Sequence, residues 1–70
     1  MIEKLEQEHI GAYVYYEPDY SDEKLLGRIK GFDNNSKKAW VAYFCEDNWN
    51  NYMDYTGANT DYKDLNFKDQ

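Results

Sequence analysis

Residues 38–45, KAWVAYFC, decide the fold. The run is almost continuously apolar and rich in β-forming side chains, the pattern of a strand covered on both faces. Just upstream, residues 33–36 (DNNS) form a dense turn signal, because Asn and Asp tolerate left-handed backbone and hydrogen-bond to their own main chain. Upstream again, residues 25–32 (LLGRIKGF) alternate. Leu25 and Ile29 fall on one face, and Leu26, Arg28, Lys30 and Phe32 on the other. Gly27 and Gly31 share the Leu25 face and mark a bend or a close approach. Strand, turn and strand therefore predict a β-hairpin.

Working outward, residues 10–17 (IGAYVYYE) place Ile10, Ala12, Val14 and Tyr16 on one face and Tyr13 and Tyr15 on the other. Pro18 lacks a backbone donor and ends that strand, and PDYSDEK follows as a polar loop. Residues 1–9 (MIEKLEQEH) are charged, with Ile2 and Leu5 three apart, and are expected to be a loose N-terminal segment, frayed or a short helix. After Cys45 the alternation dissolves. In EDNWNNYMDYTGAN, the spacing of Trp49, Tyr52 and Met53 predicts a short helical turn near residues 48–55. Residues 56–60 are expected to form a short strand, 61–64 a tight or 3₁₀ turn, and 65–67 a closing strand with Leu65 and Phe67 facing inward. The expected architecture is mainly β: one small five-stranded barrel over residues 10–67.

A chain of 70 residues has a thin core and needs help from a disulfide, a metal, a partner copy or large side chains. Cys45 is the only cysteine, so no internal disulfide forms, and His9 with Cys45 is too few soft ligands for a structural zinc. Eight Tyr, two Trp and three Phe are thus expected both to build the interior, with Trp49 plugging one end, and to furnish any contact face. No stretch is long and apolar enough to span a bilayer, and no signal peptide is expected. Fourteen acids against eight bases give a formal charge of −6, which argues against direct contact with nucleic-acid phosphates and favours a partner with a basic surface.

The order of these words resembles a Src-homology-3-like small barrel of the Tudor or KOW type. The matching features are the strand after Gly11, the acidic loop, G-R-I-K from Gly27, A-W-V-A-Y-F from Ala39 and the terminal Asp64-Leu65-x-Phe67. The words G-R-I-K, W-V-A-Y and N-W-x-x-Y-x-x-Y-T-G also resemble a group of short phage and prophage proteins. That resemblance implies a mobile-element origin, a place in the cytoplasm of a bacterial host, and a role in managing that host.

Catalysis is not expected. His9 has no visible partner group, Cys45 reads as a small buried hydrophobe, and the pairs Asp22-Glu23 and Glu46-Asp47 are solvated loop acids. No metal and no cofactor are expected. The aromatic excess instead points to recognition, with Tyr15, Tyr20, Trp49, Tyr52 and Tyr55 as anchors. Glu17, Asp19, Asp22, Glu23, Glu46, Asp47 and Asp54 would supply an acidic field. The leading expectation is a small acidic protein-binding module that docks on and modulates or inhibits a basic host protein, such as a nucleic-acid-handling or defence enzyme. Two alternatives stay open. One is a nucleotide-signal binder using Arg28, Lys30, Trp49 and Tyr52. The other is a structural or oligomeric phage accessory protein, including a homodimer.

Overall fold

The hairpin at the centre of the chain forms, and the rest of the sheet grows from both of its sides. A computed structural model describes residues 2–45 and 48–68. Its strands are β1 (Tyr13–Tyr16), β2 (Leu25–Asp33), β3 (Lys38–Tyr43), β4 (Gly57–Asp61) and β5 (Leu65–Phe67). Every pairing is antiparallel, in the spatial order β4-β3-β2-β1-β5. Among the described residues three 3₁₀ turns occur, at Gln7–His9, Trp49–Asp54 and Tyr62–Asp64. Among the described residues β4 pairs only with β3 and β5 only with β1, so the two ends of the sheet do not hydrogen-bond to each other.

Local chemistry sets the strand ends. β1 starts later than residue 10 because Gly11 has φ +89, where the chain cannot stay extended, and the Gly11 amide is drawn to the Ile29 carbonyl at 2.8 Å. The turn after β2 is closed by the Asp33 side chain, whose Oδ1 accepts from the Asn35 amide at 2.9 Å. A register shift between Ile29 and Gly31 puts a bulge in β2. β3 ends at Tyr43 because Phe44 is in the left-handed region, φ +57. Gly27 must stay bare: a Cβ there would lie 2.4 Å from Val41 and 2.8 Å from the Tyr43 ring.

The core corrects two expectations. The N-terminal segment is not loose. Leu5 is fully buried and Ile2 nearly so, both in one cluster with Val14, Ile29, Ala39, Val41, Tyr62 and Leu65. The interior is also not chiefly aromatic: Tyr62 is its one fully buried ring, while Tyr16, Phe32, Tyr43 and Phe67 only pack against it. The two corrections share a cause. Ile2 and Leu5 bring the aliphatic mass that the strands lack, so the rings are released to the periphery. Leu65 faces inward as expected, with Phe67 half-buried beside the core.

Candidate functional site

The aromatic residues form two groups on opposite faces of the sheet. Val14 lies in the core, so Tyr16 shares its side while Tyr13 and Tyr15 project from the other.

On the outer face Arg28 stands directly across from Tyr13. Its guanidinium lies 4.7 Å from the Tyr13 ring centre and 4.2 Å from that of Tyr52. Its Nε donates to the Gly11 carbonyl at 2.8 Å and its NH1 to the Trp49 carbonyl at 2.9 Å. Lys30 likewise donates to the Tyr55 carbonyl, and the Trp49 ring meets Tyr13 edge-on at 6.0 Å. The structure therefore brings Arg28, Lys30, Trp49 and Tyr52 together. Both cations are committed, however, to fastening the 3₁₀ segment Trp49–Asp54 across β2. Trp49 and Tyr52 consequently lie outside the core cluster, which corrects the expectation that Trp49 plugs its end. The 3₁₀ segment buries no residue of its own, so these contacts and its ring packing hold it.

On the core side a different set of rings runs to the surface. The Tyr20 and Tyr16 hydroxyls are 2.9 Å apart, Tyr16 packs edge-on against Tyr43 at 6.1 Å, and Tyr43 lies 6.3 Å from Phe44. Tyr20 is 83% and Phe44 71% exposed, so the track opens to solvent at both ends. Thr60 fixes its middle. The Thr60 hydroxyl donates to the Ala58 carbonyl at 3.2 Å, so its one hydrogen is used and Tyr43 must donate to it, at 3.1 Å. The Tyr16 hydroxyl is pushed up to about 12, first by its hydrogen bond to Tyr20 and then by desolvation. Burial also raises Tyr43. Sequence reasoning missed Tyr16, Tyr43 and Phe44 as surface-track residues, and the left-handed turn that throws Phe44 outward leaves no signal inside an apolar run.

The predicted anchors thus separate. Tyr20 joins the track. Tyr15 lies under the Lys24 ammonium at 4.3 Å, and Trp49, Tyr52 and Tyr55 belong to the fastened segment. Of the acids, Asp19, Asp22, Glu23 and Asp54 are exposed. Glu17 is half-buried, accepting from Asn66 Nδ2 at 2.6 Å and lying 3.5 Å from Lys24. Glu46 and Asp47 lie outside the described residues. His9 accepts the Glu6 amide on Nδ1 at 2.8 Å and packs on Phe67, so its role here is to close a turn. Cys45 is a buried free thiol. No helix among the described residues is long and apolar enough to cross a membrane. No protein-family model, curated protein or solved structure matches the chain.

Proposed function

We propose that this protein is a non-catalytic binding module that docks on a basic surface of another protein and masks it. The surface used is the acidic β1–β2 loop together with the ring track that begins at Tyr20 and ends at Phe44. Phe44 is the observation that carries the reading. A large apolar ring held 71% exposed, on a backbone with φ +57, costs energy in the free molecule. Such costs are sustained where the side chain is needed outside, and exposed aromatics are the side chains that dominate binding energy. Asp19, Asp22 and Glu23 are exposed in the same loop as Tyr20, and with the overall charge of −6 they supply a field that draws in and orients a basic partner. We read the five-stranded antiparallel sheet as Src-homology-3-like, and its strand β1, paired on both sides, carries Tyr16 at its end.

The test is affinity capture from bacterial lysate at low and high salt, with the wild-type chain and a Tyr20→Ala/Phe44→Ala double variant side by side. The expected result is a basic protein retained by the wild type at low salt, weakened by salt and lost with the double variant. Retention of the same protein by the double variant would remove the track from the interface.

A further inference from the structure

Among the described residues the outer edge of β4 is unpaired, and it runs along a groove lined in part by a carboxylate with no ion pair. Tyr62 donates its amide to the Lys37 carbonyl at 3.0 Å. Antiparallel alternation then turns the main-chain groups of Ala58 and Thr60 towards β3 and those of Gly57, Asn59 and Asp61 away from it. No described strand pairs with that outer side. The edge sequence, GANTD, contains neither the Pro nor the Lys that usually blunts an exposed edge.

A groove of about 290 Å³ follows this edge, touching Ala58, Asn59, Thr60 and Asp61 in succession. Side chains alternate between faces, so contact with four consecutive residues means that the groove runs along the strand. Tyr16, Leu25, Lys38, Tyr43 and Asp64 complete its lining. Asp61 is paired with Lys38, whereas the Asp64 carboxylate has no ion pair or hydrogen bond among the described residues. It is near enough to both tyrosines to hold their protons more tightly.

Resting on the docking reading above, we infer that an extended basic segment of the partner protein adds as a strand to the outer edge of β4, and places one Lys or Arg side chain alongside the Tyr16–Tyr43 pair against Asp64. Main-chain pairing would supply affinity independent of sequence, and the tyrosine-flanked carboxylate would select the cation. Charge decides the occupant. A second copy of this chain would bring another −6 and another Asp61 to the same edge, whereas a basic strand neutralises Asp64.

The probe is an eight-residue peptide alternating Lys and Thr, titrated to millimolar concentration into the ¹⁵N-labelled full chain. The expected result is shifted amides of Gly57, Asn59 and Asp61, with their hydrogen exchange slowed at least tenfold. Methylating the peptide amides that face β4 should abolish binding, while methylating the alternate set should leave it intact. Asp64→Asn should weaken binding about tenfold without altering the unbound spectrum elsewhere. A peptide that shifts Tyr20 and Phe44 but leaves β4 unprotected would overturn the strand addition while leaving the docking reading standing. No shift at any residue also overturns it, and the capture experiment then judges docking separately. Concentration-dependent β4 shifts in the protein alone would assign the edge to a second copy and sink the proposal.

Discussion

The Asn34 side chain holds both main-chain polar groups of Leu5. Its Oδ1 accepts the Leu5 amide at 3.0 Å and its Nδ2 donates to the Leu5 carbonyl at 2.8 Å, so one amide side chain does what a neighbouring strand would do. The same Oδ1 accepts the Tyr62 hydroxyl at 2.7 Å. Three groups in or beside the core, two of them backbone, therefore depend on a turn residue. Asn34→Ala is expected to cost about 2–4 kcal/mol, since it leaves those groups unsatisfied. Asn34→Asp keeps the acceptor, loses the donor and should fall between wild type and Ala. Urea denaturation orders the three, and an Ala variant as stable as wild type would contradict the arrangement.

Arg28 binds two carbonyls at once and is flanked by two rings, a geometry that needs a planar fork. Arg28→Lys preserves the charge but not the fork. A loss of about 1–3 kcal/mol is expected. In a Trp40→Phe background, fluorescence then reports Trp49 alone and should move to longer wavelength before the sheet melts. Coincident transitions would show the segment to be held by something else.

Tyrosine ionisation sets the alkaline limit. Tyr16 titrates at about 12 in the folded chain, held up chiefly by its bond to Tyr20, against an ordinary value of 10.0, and Tyr43 and Tyr62 are raised as well. Their contribution is complete below about pH 10, where folded and unfolded chains are both protonated. Above that pH the unfolded chain releases protons first, so stability falls as pH rises and the contribution is gone once the folded hydroxyls titrate. Tyr20→Phe removes the main cause at Tyr16 and should make this fall shallower. Denaturation midpoints between about pH 9 and 12 measure it, and identical slopes would exclude the hydroxyl pair as the source.

Phe44 should separate stability from binding. Phe44→Gly relieves the left-handed backbone, so the variant is expected to match wild type or exceed it by about 1 kcal/mol. Retention of the basic partner should drop at the same time. A destabilised glycine variant would mean that the ring is packed in the free protein.

The hairpin was legible because its signals are local. Alternation in LLGRIKGF, Asn-rich turn chemistry and the apolar run at Lys38 all lie within a short window, and Leu65 at the closing strand followed the same rule. The docking of Leu5 was not legible, because it depends on Asn34, 29 residues away, whose amide looks like any turn Asn. The candidate surface failed to show for a related reason. Tyr16 and Tyr43 meet only through the folding of three strands, and Phe44 leaves the core side through one backbone angle. Arg28 and Trp49, expected to share a ligand pocket, do lie together, but the contact between them runs through a main-chain carbonyl that no residue type announces.

Cys45 sits directly behind that outward-turned phenylalanine, fully enclosed, with its carbonyl accepting the Asn48 amide at 2.7 Å. A thiol so shielded reacts with an alkylating reagent only while the corner is open, so its labelling rate is a clock built into the chain. Run with and without a ligand, that clock would time how often the corner springs loose and whether occupancy of the neighbouring surface latches it.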